Sequence, residues 1–150
     1  MRFIRDISYR KILSLFWQQN GNPLFNAKGI AVGVFSGCFP FFGFQTLLGV
    51  FIAKIIKGNL VLAALGTWIS NPITYVPLYF LNYKIGSFLL QNEDKLKIDA
   101  ETFKFDIWSS GLQYIVRILI GSTLVGLISG AFIGLLTYYL YSIQIKRNDF

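Results

Sequence analysis

The chain has 150 residues, of which 54% are hydrophobic and 14% charged, with a mean hydropathy of +0.54 and a formal net charge of +7 at pH 7. That balance lies outside the usual range of soluble domains and leaves room for one domain, residues 1–150, holding a handful of membrane-length segments of roughly 20 residues each. A single cysteine, Cys38, and no histidine exclude a disulfide framework and a metal-ligand spacing, and cations spread along the apolar boundaries instead of on one basic face argue against a nucleic-acid partner.

Residues 2–19 set Phe3, Ile4, Ile7, Ile12, Leu15 and Phe16 among Arg2, Arg5, Arg10 and Lys11. This pattern predicts an amphipathic helix on a membrane surface, with Trp17 at headgroup depth and the basic face drawn to anionic lipid. It is not read as a cleaved secretion signal, because the apolar run at 12–17 is short, contains Ser14, and leads to no small-x-small site. Residues 20–26, with Gly21 and Pro23, read as a turn.

From Lys28 the chain is apolar to Phe39, meets Pro40 and Gly43, and is apolar again to Lys54 and Lys57. Each arm covers only about 20 Å, short of the roughly 30 Å hydrocarbon thickness. A re-entrant hairpin tipped by Pro40, Phe41, Phe42 and Gly43, with Lys28 and Lys57 at one surface, is favoured over a single long helix kinked at proline. A second unit follows the same plan: a turn at Gly58 and Asn59, an apolar arm, a break at Ser70, Asn71 and Pro72, and a second arm carrying Pro77 and Asn82. Ala31, Gly33 and Pro40 set beside Ala64, Gly66 and Pro72 suggest a duplicated element, and paired interrupted segments are a feature of transporter sites.

Glycines recur every fourth residue at Gly29, Gly33 and Gly37, and again in the series Ser122, Gly126, Gly130 and Gly134. Such stripes let helix backbones approach closely, within one chain or between copies in a homo-oligomer. Residues 92–106 form a polar loop, and 107–145 a carboxy-terminal transmembrane region that crosses once or folds back, with Tyr138, Tyr139 and Tyr141 as an aromatic belt. Basic residues at the amino terminus, at 54 and 57 and at 146 and 147 favour the cytoplasmic side. The predicted fold is therefore an all-α, multi-pass integral membrane protein with a cytoplasmic amino terminus. It comprises an amphipathic helix, two proline-interrupted helical hairpins and a carboxy-terminal spanning helix.

Residues 7–92 contain no Asp or Glu. No buried acid/base pair, metal centre or activated nucleophile can be assembled there, so no catalytic residue, metal or cofactor is expected. The polar groups left at membrane depth, chiefly Gln45, Thr46, Lys54, Ser70, Asn71 and Thr74, are amide, hydroxyl and cationic. They suit an anion or a neutral polar ligand, with helix amino termini after each break offering free amides. The competing assignment for Ser70 and Asn71 is capping of the helix that begins at Pro72.

The stretch from residue 23 to 90 resembles the core of the prokaryotic membrane family known as domain of unknown function two thousand and sixty-two. The resemblance rests on Gly33 with Phe35, Pro40 through Gly43, Gln45 with Thr46, Gly58 with Asn59, Trp68 through Pro72, Pro77 with Tyr79, and Gly86. It implies a bacterial inner-membrane protein without an established activity, and a link to envelope glycosyltransferases through a partner. Two functions are carried forward. One is transport or binding of an anionic lipid, such as a polyprenyl phosphate, or of a small molecule for envelope biogenesis. The other is a noncatalytic scaffold for an envelope glycosyltransferase, with the glycine stripes as its working surface.

Overall fold

A computed structural model describes residues 22–41, 43–90 and 107–148, with side chains of the last element described over 111–143. The expected surface helix at 2–19 and the polar loop at 92–106 lie outside the described residues. Among the described residues the regular structure is entirely helical: α1 (Pro23–Gly37), α2 (Phe44–Ile55), α3 (Leu60–Gly66) running into a one-turn 3-10 helix (Thr67–Ile69), α4 (Tyr75–Leu89) and α5 (Ile107–Asn148).

Each helix begins and ends for local reasons. Asn22 caps α1 by accepting from the Leu24 amide at 2.9 Å, with Pro23 in the first turn, where its missing N–H is not needed. After Gly37 the chain bends through Pro40 and reverses at Gly43, whose φ of 81° is the left-handed conformation that glycine tolerates. α2 ends with Lys57 at φ 54° and the Gly58 amide donating to the Ala53 carbonyl at 2.7 Å. Asn59 then starts α3, accepting from the Val61 and Leu62 amides at 3.0 and 3.2 Å.

The first unit folds back on itself. Lys28 Nζ donates to the Ile56 carbonyl at 3.4 Å, and the Asn59 amide donates to the Phe25 carbonyl at 3.0 Å. α3 then runs beside α1 in the same direction, since Gly29 abuts Asn59, Gly33 abuts Ala63 and Gly37 abuts Thr67. A Cβ at Gly66 would sit 2.9 Å from the Gly33 Cα, so the Gly33 and Gly66 of the suspected repeat face each other.

The second unit departs from the expected hairpin. α4 does not return along α3; it packs on α5, antiparallel, with Gly86 against Arg117 and Gly121 against Asn82. α1 is also antiparallel to α5, with Gly126 and Gly130 against Phe35 and Gly134 against Ala31. α1 and α4 therefore lie end to end along α5, and α4 continues in the direction of α3. The physical reason is that α4 carries its own close-packing residues, Asn82 and Gly86, on one face, and α5 offers Gly121 and Ser122 to meet them. α5 is one unbroken helix of 42 residues, about 63 Å long, so the fold-back considered for residues 107–145 does not occur over the described range. Its segment Gly111–Ile143 is long and apolar enough to cross a membrane.

Burial runs opposite to that of a soluble domain. Asn26, Ser36, Cys38, Asn82 and Ser122 are fully buried, while Phe44, Leu47, Phe51, Ile55, Trp68, Ile73 and Phe88 are among the exposed large side chains, Ile73 at 87%. Small and polar residues fill the centre and large apolar ones cover the outside.

Candidate functional site

Three polar clusters occupy the interior. At the base, Asn59 Nδ2 donates to Asn26 Oδ1 at 2.8 Å, tying the starts of α1 and α3 together, with both residues buried. Replacing Asn59 by alanine removes this bond and the α3 cap, leaving buried groups without partners; a loss of about 2–4 kcal/mol follows. In a double-mutant cycle measured by thermal unfolding, Asn26→Ala added to Asn59→Ala should cost less than it does alone.

On the opposite side of α1, at its carboxy-terminal end, Asn82 Nδ2 donates to the Cys38 carbonyl and to Ser122 Oγ, each at 2.9 Å. Tyr79 Oη donates to the Phe39 carbonyl at 3.4 Å. Ser129 Oγ donates to the Val125 carbonyl at 2.6 Å, so its 3.6 Å contact with Cys38 uses the cysteine as donor. These contacts hold the joint where α1 and α4 meet end to end.

The third cluster sits where the end of α1, the start of α2 and the 3-10 turn converge, and it takes in Gln45, Thr46 and Ser70, three of the six residues predicted for a site. Ser36 Oγ is fully buried and Gln45 Oε1 belongs to a residue 6% exposed; among the described residues neither atom has a hydrogen-bond partner. Thr67 Oγ1 donates to the Ala64 carbonyl at 2.7 Å, so in its 3.0 Å pair with Thr46 the proton comes from Thr46. Gly49, one turn after Gln45 on the same face, brings α2 against this spot: a Cβ there would lie 3.4 Å from Ser36 Oγ and 3.2 Å from Thr67 Cγ2. Ser70 is buried beside the cluster and donates to the Thr67 carbonyl at 3.2 Å.

The remaining predicted residues are placed elsewhere. Asn71 caps the turn into α4, its Oδ1 accepting from the Ile73 and Thr74 amides at 2.9 and 3.1 Å, while its own amide donates to Thr74 Oγ1 at 2.8 Å. Thr74 Oγ1 in turn donates to the Ile69 carbonyl at 2.7 Å. The amides that could have welcomed an anion at this second break are thus occupied within the turn, and capping accounts for Asn71 and Thr74. Pro72 lies in that turn and Pro77 in the first turn of α4, where proline disturbs no helical bond. Lys54 is exposed in the last turn of α2, nine residues and about 13 Å from Gln45 along the helix axis, outside the cluster. The six stripe glycines, Gly29, Gly33, Gly37, Gly126, Gly130 and Gly134, all lie at contacts inside the chain.

A family model described as "Uncharacterized protein conserved in bacteria (DUF2062)" matches residues 8–149. The chain belongs to this family. No curated protein and no solved structure matches it. The DUF2062 match runs well past the 23–90 core on which the resemblance rested, so α5 and its contacts with α1 and α4 are part of the family domain.

Sequence reasoning missed the joints at Asn26 with Asn59 and at Asn82 with Ser122. Their partners stand 33 and 40 positions apart, and only the presence of lone asparagines in apolar helices could have pointed to them. It also missed the close approaches at Gly86 and Gly121, which fall outside the four-residue stripes.

Proposed function

We propose that this chain is a multi-pass protein of the bacterial inner membrane that binds an anionic lipid headgroup or small polar molecule where α1, α2 and the 3-10 turn meet, as a transporter or lipid-handling protein does. The observation that carries this reading is the pair of buried, unpartnered oxygens of Ser36 and Gln45 inside a shell of exposed apolar side chains. A buried polar atom without a partner is costly, and interrupted helices at membrane depth are tolerated where they line protein or a water-filled cavity.

In this reading α1 and α2 enter and leave by one face, α3 and α4 together cross as a broken span, and α5 returns. Lys28, Lys54 and Lys57 gather at the base with the tyrosine-rich end of α5, which the positive-inside rule assigns to the cytoplasm. The start of α2 has no side-chain cap, and apart from the Gln45 amide, which donates to the Phe41 carbonyl at 3.0 Å, its first amides suit a phosphate or carboxylate. The role is noncatalytic, as residues 7–92 supply neither carboxylate nor imidazole. The scaffold alternative loses its working surface, because the stripe glycines lie at contacts within the chain.

The test is thiol labelling in a Cys38→Ser background. Gln45→Cys should react with a membrane-impermeant reagent and be protected by an anionic lipid headgroup, whereas Leu47→Cys, on the exposed apolar face of the same helix, should not react. Silence at position 45 in folded protein would make the cluster packed core and restore the scaffold. Reaction at position 47 would overturn the bilayer placement of α2.

A further inference from the structure

The cluster at the first break has a chemical bias that decides what it can hold. Both unpartnered side-chain atoms, Ser36 Oγ and Gln45 Oε1, are oxygens. Four hydroxyls in the last long helix, those of Thr123, Ser129, Thr137 and Ser142, donate back to the carbonyl four residues earlier, at 2.6–2.9 Å. That is the ordinary resting place for a helical hydroxyl. Ser36 has no such bond, and its oxygen faces α2 at the position that Gly49 keeps clear.

The backbone adds the same sign. α1 and α3 run parallel, so the carboxy-terminal ends of α1 and of the 3-10 turn arrive side by side, Gly37 against the Thr67 carbonyl. Helix carboxy termini carry partial negative charge. The Phe35 and Ser36 carbonyls, which have left the α-helical pattern, each accept one amide, from Cys38 and Phe39 at 3.2 Å, and a carbonyl oxygen has a second lone pair. Unwound carbonyls at half-helix ends are suited to monovalent cations, and neutral oxygens suffice to replace the hydration shell of such an ion. Magnesium and calcium sites draw on carboxylates, and residues 7–92 have none. The available space is small, since even one methyl group at Gly49 would crowd Ser36 and Thr67.

We infer that the junction of α1, α2 and the 3-10 turn binds a single dehydrated alkali-metal cation, with Ser36 Oγ and Gln45 Oε1 among its ligands. This rests on the reading of the junction as a binding site and adds the class of ion it takes. An anionic headgroup at the start of α2 would then sit beside a bound cation, and occupancy by one would favour the other.

The experiment compares thermal unfolding of the purified full chain in sodium, potassium and choline chloride at equal ionic strength. A ligand that binds only the folded state raises the melting temperature, here by about 3–5 °C in sodium or potassium over choline. Ser36→Ala and Gln45→Met should each abolish that difference, while Ser142→Ala, distant from the junction, should keep it. Equal melting in all three salts, or a difference that survives both substitutions, would mean the junction holds water alone and overturns the inference. Should the variants fail to fold, retention of radioactive sodium or rubidium by the wild-type chain, displaced by the unlabelled salt and not by choline, supports it, and no retention overturns it. Labelling of Gln45→Cys without any cation effect would remove the cation and leave the binding site standing; a cation effect without headgroup protection would do the reverse.

Discussion

Alanine at Gly121 or at Gly86 is expected to be the most damaging single change in the chain, whereas alanine at Gly111 should be harmless or slightly stabilising. A Cβ at Gly121 would fall inside the Asn82 carbonyl, and one at Gly86 inside the Arg117 carbonyl. Both obstacles are backbone, so no side-chain rotation relieves them. α4 has α5 as its main packing partner, and forcing the two backbones apart also pulls on the Asn82 bonds to Cys38 and Ser122. Overpacking of this kind costs about 3 kcal/mol or more, against a propensity gain for alanine over glycine of about 1 kcal/mol. Gly111 has open space around its Cβ position, so only the gain applies there. Thermal unfolding of the three variants in detergent solution should order them with Gly111→Ala at or above wild type and the other two far below. Equal melting temperatures for all three would mean that α4 does not pack on α5 as described.

Much of this architecture is visible in the amino-acid order because it depends on local composition. Gly58 with Asn59 announces the turn before α3, and Pro40 with Gly43 and Ser70 with Asn71 and Pro72 announce breaks, whereas residues 20–26, which read as a turn, already enter α1 at Pro23 because Asn22 caps it and proline suits a first helical turn. The four-residue glycine series named the faces at which α1 meets α3 and α5, since a repeat of about one turn places small residues on one side of a helix. Direction was harder to read. Both breaks contain proline and polar residues, yet one reverses the chain and the other lets α4 carry on past α3. The difference comes from what each outgoing arm finds: α2 meets α1 through Gly49 and Ser36, while α4 meets α5 through Asn82 and Gly86, contacts whose partners are far away in sequence. The candidate site divides in the same way. Gln45 and Thr46 were legible as polar residues without a local role; Thr46 pairs with Thr67 at the junction, and Gln45 is buried one turn before Gly49, which faces Ser36. For Ser70 and Asn71 the competing assignment is capping of a helix from Pro72; the helix begins instead at Tyr75, Asn71 caps the turn before it, and Ser70 bonds the Thr67 carbonyl.

Asn82 carries the second large expected effect. Alanine there removes the donors to the Cys38 carbonyl and to Ser122 Oγ, and a fully buried carbonyl and hydroxyl lose a partner each. Two hydrogen bonds at about 1 kcal/mol each, plus the penalty of orphaned buried groups, are offset in part because Asn82 Oδ1 is itself unpartnered and disappears with the side chain. The net expectation is a loss of about 2–3 kcal/mol. Aspartate, nearly the same shape, should be worse than alanine, because it keeps an acceptor facing the Cys38 carbonyl and adds a buried charge. The pairing can be isolated by a double-mutant cycle. Asn82→Ala with Ser122→Ala should show a coupling of about 1 kcal/mol, while Asn82→Ala with Thr137→Ala, whose hydroxyl bonds only its own helix at Ile133, should be additive. Additivity in both cycles would separate Asn82 from Ser122. Asn82 would then hold the Cys38 carbonyl alone, and its contribution to the contact between α4 and α5 would be smaller than its full burial implies.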